Sequence, residues 1–292
     1  MTARGFETRK ARAAIALVAS LPLVSACAPS TGEARRYAGR AIMRAVPIAK
    51  GDLAITNRHG SIWVDTGGVA GEITLAALPF ATGTDDDAAA AAAALDPPTL
   101  VAAPDGQGGV VIEGGGDDAR GFDLAVHLPY PFGGLLTIDA TNGAVHYVGS
   151  SGGRGATLRA VAGDIYVQNG GKALTIEGGR SDIRVMTLPT ITGTRITTDD
   201  GDVTIQIPDA ANLLITASTQ SGGTVTPPPD RSVEGDVTEG SDTEGDDAPS
   251  RAIATLSEDH RSATIQLGSL ETIAAGKQYL TVSTGHGNVV FR

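Results

Sequence analysis

Leu53-Ala-Ile-Thr-Asn-Arg-His-Gly60-Ser-Ile-Trp-Val64 returns further along the chain as Leu136-Thr-Ile-Asp-Ala-Thr-Asn-Gly143-Ala-Val-His-Tyr147. The shared pattern is apolar at p, p+2, p+9 and p+11, with a small residue at p+7. Starts at Leu53, Leu136, Ala156, Leu174, Thr194 and Leu280 fit it, and 23 of the 24 apolar slots hold Ala, Val, Ile, Leu, Phe or Tyr, Thr194 being the exception. Alternation at p and p+2 is the period of a strand with one buried face, and p+9 and p+11 repeat it after a turn. Glycine or serine at p+7 (Gly60, Gly143, Gly163, Ser181, Gly201, Gly287) suits a backbone that takes a positive φ or packs closely. Each unit therefore reads as strand, turn, strand.

The central small residues stand at 143, 163, 181 and 201, and a degenerate further copy starts at Leu214. A repeat near 20 residues is the size of one rung of a β-solenoid, in which no rung buries its aliphatic row alone and stacked rungs enclose a continuous core. Composition agrees: 5 Phe, 5 Tyr and 1 Trp are few for 292 residues, and 39 are Gly, so the core is built from small aliphatic side chains. The expected fold is an all-β parallel solenoid of two-strand rungs; an antiparallel β-sandwich of hairpins is the rival. End rungs present unpaired edges, so capping by loops or by another copy is expected.

Two insertions interrupt the stack. Around 81–104, Asp85-Asp86-Asp87 and the alanines Ala88 to Ala94 precede Pro97-Pro98, which fits either a short helix or a surface loop. Around 227–250, eight acids stand against Arg231 with almost nothing to bury, the composition of a disordered segment. A second internal match pairs Leu124-Ala-Val-His-Leu-Pro129 with Val203-Thr-Ile-Gln-Ile-Pro208.

From Ile42 to Arg292 the chain resembles a family of bacterial envelope proteins described as candidate adhesins, or as a β-strand-repeat domain of unknown function. The motifs that carry the resemblance are Gly51-Asp-Leu-Ala-Ile-Thr-Asn-Arg-His-Gly60-Ser-Ile-Trp-Val64, Gly201-Asp-Val-Thr-Ile-Gln-Ile-Pro208 and the ending Leu280 to Phe291. The resemblance implies an extracytoplasmic β-solenoid, in some members beside envelope-stress systems, and supplies no catalytic residues.

Arg4, Arg9, Lys10 and Arg12 precede an uncharged run from Ala13 to Val24, the layout of an export signal too short to span a bilayer. The run ends Val24-Ser25-Ala26-Cys27, which resembles a bacterial lipoprotein signal and implies lipidation of Cys27, with Ala28 favouring the outer membrane. The same small residues would also serve an ordinary signal peptidase. Residues 1–26 are read as the signal, 27–41 as a lipid-anchored tether and 42–292 as the repeat domain. Cleavage before Cys27 leaves 18 basic against 32 acidic residues, a formal charge of −14. Such a balance argues against nucleic acid as a partner.

No catalytic constellation stands out. The histidines His59, His127, His146, His260 and His286 form no metal-binding pair, and His127 and His146 alternate with apolar neighbours, so they are expected to face solvent. Acids at Asp199-Asp200-Gly201-Asp202 and from Asp242 to Asp247 invite calcium, but its signature motifs fail, and Asp200 and Asp202 are read as shaping a turn. No cofactor and no metal are expected. In the solenoid register the outward p+10 positions carry Trp63, His146, Tyr166, Arg184, Thr204 and Val290. Trp63, His146, Tyr166 and Arg184 form a candidate stripe for an envelope protein or glycan, since aromatics and Arg are enriched at interfaces. The functional expectation is a non-catalytic, lipid-anchored envelope module; the alternatives are a regulatory partner of an envelope-stress system and a carbohydrate-active β-helix enzyme.

Overall fold

The computed structural model describes residues 35–48, 51–83, 94, 99–102, 109–117, 119–149, 154–169, 173–186, 193–207, 213–228, 253–267 and 279–292. In chain order its strands begin with β1 (Arg35–Ala38), β2 (Ile42–Pro47), β3 (Leu53–His59), β4 (Ile62–Gly68) and β5 (Glu72–Gly83). There follow β6 (Thr99–Ala102), β7 (Val110–Gly114), β8 (Arg120–Pro129), β9 (Leu135–Asn142), β10 (Val145–Val148), β11 (Gly155–Ala162) and β12 (Ile165–Gln168). Next come β13 (Leu174–Arg180), β14 (Ile183–Met186), β15 (Thr194–Asp200), β16 (Val203–Ile205), β17 (Leu213–Ser221) and β18 (Val225–Thr226). The last are β19 (Ile253–Leu256), β20 (Ser262–Leu267), β21 (Tyr279–His286) and β22 (Val289–Phe291).

These strands form two sheets, and every repeat contributes one strand to each. In sheet I the parallel core runs β8-β4-β10-β12-β14-β16-β22-β18; in sheet II it runs β7-β3-β9-β11-β13-β15-β21-β17. Registers match the repeat: Leu53 pairs with Leu136, Leu136 with Ala156 and Ala156 with Leu174, while Ile62, Val145, Ile165, Ile183, Val203 and Val289 align in sheet I. The p, p+2, p+9 and p+11 side chains fill the space between the sheets, with Ile138, Val145, Tyr147, Ile176 and Val203 fully buried. Burial of each such aliphatic side chain contributes about 1.5–3 kcal/mol. The fold is the parallel solenoid, not the sandwich.

Stack order departs from chain order. The C-terminal unit β21/β22 lies between β15/β16 and β17/β18, and β3/β4 sits between the units β7/β8 and β9/β10. The further copy begins at Ile215, which pairs with Leu280, one residue after the expected Leu214. Its sheet I strand aligns Val225 with Val289, so its turn is longer than in the other units. The β7/β8 rung also has a longer turn, Val110 aligning with Leu53 and Leu124 with Ile62.

Antiparallel strands of the chain itself cap the ends. At one end β5 pairs with β8 and carries β1 and β2, and β6 pairs with β7; at the other, β20 pairs with β17 and β19 with β20. Strand β1 falls within the stretch read as a tether, so the folded part begins before Ile42. Strand β6 and the end of β5 fall within the first insertion, and so belong to the sheets. The alanines Ala88 to Ala93, most of the acidic 227–250 segment, residues 1–34 and Cys27 lie outside the described residues.

Candidate functional site

The corner between the sheets is built by the p+7 and p+8 residues. At p+7, Gly143 has φ 153°, and a Cβ there would collide with the backbone carbonyl of Gly60 one rung away. Ser181 replaces glycine in this column, and its hydroxyl donates to the Ala160 carbonyl at 3.2 Å. Inside the corner, the Thr198 hydroxyl lies 3.1 Å from the Ser181 carbonyl, Thr284 donates to Gly201 at 3.1 Å, and the Asn57 amide donates to Gly60 and Phe122 at 2.9 and 2.8 Å.

Outside the corner, the p+8 side chains form a ladder. Asp164 Oδ1 accepts the Asp182 backbone N–H at 3.3 Å, Asp182 that of Asp202 at 2.9 Å, and Asp202 that of Asn288 at 2.7 Å. Asn288 in turn accepts from Thr224 at 3.1 Å. Each carboxylate therefore caps a backbone donor of the next rung, and three acids stand in file at the rung spacing of about 4.8 Å. This is the turn-shaping role expected of Asp202. Among the described residues no group of three or more His, Cys, Asp or Glu side chains is placed to hold a metal ion.

Two residues beyond this ladder, on the outer face of sheet I, the candidate stripe is assembled in register: Trp63, His146, Tyr166, Arg184, Thr204 and Val290 occupy adjacent strands. The Trp63 and His146 rings stack with centroids 4.8 Å apart and planes at 19°, and His146 and Tyr166 follow at 5.9 Å and 43°. The Trp63–His146 separation equals the strand spacing, so parallel strand pairing itself sets the stack. The Tyr166 hydroxyl donates to Met186 Sδ at 3.0 Å, and Met186 is 40% exposed. Burial lowers the His146 pKa, with nearby Asp164 acting in the opposite direction, so the imidazole favours its neutral form.

The row continues beyond Trp63, where the register places Ala125 of β8, then Ala76 of β5, then Met43 of β2. No aromatic ring stands in register on the Trp63 side opposite His146, where Ala125 and Ala76 are buried. Sequence spacing missed this extension because β8, β5 and β2 lie outside the regular repeat.

His127 also departs from expectation. It is on the outer face but only 17% of its side chain is exposed, and its Nδ1 lies 2.5 Å from Asp65 Oδ1 on the adjacent strand. Among the described residues no hydroxyl hydrogen-bonds its Nε2, so the pair is a carboxylate-oriented imidazole without an attached nucleophile. His59 is packed against Phe80 at a ring distance of 5.6 Å. His260 has φ 54° in the turn between β19 and β20, its N–H bonded to the Ser257 carbonyl.

The Toastrack DUF4097 family profile matches residues 108–259, just over half of the chain. The chain belongs to the Toastrack DUF4097 family. The Toastrack match covers the central rungs and the stripe residues His146, Tyr166 and Arg184, while Trp63 precedes it. Two solved structures are similar at low identity. A candidate cell adhesion protein of Clostridium sporogenes gives a TM-score of 0.35 at 11% identity, covering 86% of this chain and 98% of its own. A candidate adhesin of Bacteroides fragilis gives 0.31 at 8%, covering 87% and 97%. No curated protein matches the chain.

Proposed function

We propose that this Toastrack chain is a non-catalytic, adhesin-like interaction module of the bacterial cell envelope, held by lipid on Cys27 and contacting its partner through Trp63, His146, Tyr166 and Arg184. The observation that carries the reading is the stacked aromatic row on the outer face of sheet I. Its members come from four separate strands, yet the ladder brings them into one continuous surface. A row of aromatics and Arg suits recognition, whereas glycoside cleavage needs a pair of carboxylates flanking one bond. Of the acids near the row, Asp65 is bonded to His127, and Asp164, Asp182 and Asp202 each cap the backbone N–H of the next rung. What supports the location is the basic start and uncharged run that precede Cys27, with Ala28 favouring the outer membrane.

Two experiments test the reading. Cell fractionation with protease shaving should find the native protein membrane-bound and the Cys27→Ser variant released; a soluble native protein would remove the anchor. A peptide and glycan array probed with native protein and with the W63A/Y166A double variant should show signals that the variant loses while keeping its circular dichroism spectrum. Array signals that survive W63A/Y166A would place the contact elsewhere.

A further inference from the structure

We propose that the end of the stack closed by β1 and β2 is a membrane-facing base, whose arginines contact the anionic phospholipid headgroups of the bilayer that holds the Cys27 lipid; this rests on the lipid-anchored reading. Two observations carry it, the placement of charge and the length of chain between Cys27 and the first strand. From Ala34 to Gly51 the sequence holds Arg35, Arg36, Arg40, Arg44 and Lys50 and no acid. Those five come from only 18 basic residues left after cleavage before Cys27, in a mature chain of formal charge −14. A strongly acidic protein thus gathers cations in its first strands.

The fold puts those strands at one end. β1 and β2 both pair with β5 along the edge that β8 does not use, so they form the outermost layer of sheet I there. Arg40 and Arg44 are exposed, and among the described residues neither is in an ion pair. Little acid competes for them: β5 carries Glu72 as its one charge, Asp117 is bound by Arg120 at 2.6 Å, and β6, the outermost sheet II strand of this end, carries none. The opposite end has the opposite sign, since the segment with eight acids joins β18 to β19, the outermost strands there. Beside an anionic bilayer such polarity turns the arginine end down and the acidic end away. Fully extended, the eight residues from Cys27 to Ala34 reach at most about 28 Å, so the lipid holds β1 close to the headgroups. In this posture the strands lie along the membrane plane, and Trp63, three strands in from β1, stands about 14 Å above the base.

Trp63 is the chain's single tryptophan, so its fluorescence reads the height of the domain. The test adds native full-length protein, purified in neutral detergent, to preformed phosphatidylcholine vesicles with or without phosphatidylglycerol, each containing a trace of dansyl-labelled lipid. Flotation reports the anchor, and energy transfer from Trp63 to dansyl reports the posture. Native protein should float with both vesicles, and transfer should be at least about twofold greater with phosphatidylglycerol, the difference closing as salt rises. R40E/R44E should remove the difference while keeping the circular dichroism spectrum, and the milder R40Q/R44Q should remove most of it. R180E/R195E makes the same charge change on sheet II and should keep the difference.

Equal transfer in both vesicles by protein that floats with both overturns the inference and leaves the anchor standing. So does a difference that R180E/R195E removes as fully as R40E/R44E. Flotation only with phosphatidylglycerol, lost in R40E/R44E, supports the arginine base and removes the lipid on Cys27. Flotation with neither vesicle overturns both readings.

Discussion

At Gly143 the conformation and the space make the same demand. Its φ of 153° is one that other residues rarely adopt, and the Gly60 carbonyl occupies the place of a Cβ. Gly143→Ala should therefore lower the unfolding free energy by about 2 kcal/mol or more in urea titrations. Gly67 is the control: it is exposed, has no atom within 4 Å of a built Cβ, and as alanine should change stability by less than about 0.5 kcal/mol. His146 gives a prediction in pH. Its pKa is lowered by burial, so as pH falls the unfolded chain takes up the proton first. The stability held by the neutral ring is intact above about pH 6.5 and is lost as pH falls from there through the folded-state midpoint. Urea unfolding at pH 7.5 and 5.5 should show a smaller loss for His146→Gln than for native protein, and an NMR titration should place His146 below an ordinary histidine.

Within a rung, two polar columns hold the corner, the threonines inside and the aspartates outside. Thr198 has one hydroxyl proton and three carbonyls in reach, those of Gly179, Ser181 and Asp200 at 3.2, 3.1 and 3.4 Å. Thr198→Val keeps the shape and removes the donor inside a buried corner, so it should cost about 1–2 kcal/mol in the same titration. The rung itself was legible in the sequence. Apolar alternation at Leu174 and Ile176, and again at Ile183 and Val185, names the buried face, and the p+7 glycines name the corner. The stripe was legible too, since p+10 follows from the same register. The rungs outside the regular spacing were harder to see. In β7/β8, Val110 and Ile112 are separated from Leu124 and Val126 by a turn containing Gly114-Gly115-Gly116, which hides them from a nine-residue rule. The likeness of Leu124–Pro129 to Val203–Pro208 was the available signal, and the strands in these two segments, β8 and β16, both lie in sheet I. The Asp65–His127 pair was invisible because its residues are 62 apart and meet only through that irregular rung.

Across the whole molecule, the order of rungs is what local pattern could not specify, because every unit offers its neighbours the same aliphatic row. The C-terminal unit has a particular consequence: Leu280 pairs with Thr194 on one side and Ile215 on the other, so β21/β22 is an internal layer made from the last segment of the chain. A rung at the end of a solenoid can be removed at the cost of one interface, whereas an internal rung carries two. Loss of β21/β22 leaves β15/β16 and β17/β18 without their shared partner and exposes four strand edges with the buried Leu280, Val282, Val289 and Phe291 contacts gone. Such edges are templates for intermolecular pairing. A chain ending at Leu267 should therefore lose its single cooperative urea transition and elute as aggregate in size-exclusion chromatography. A chain lacking only the cap strand β1 should elute as the native protein does, with a modestly lower midpoint. If the chain ending at Leu267 is instead monomeric and unfolds cooperatively, the β17–β20 segment closes onto β15/β16 directly, and the intercalated layer is not what holds the two ends of the stack together.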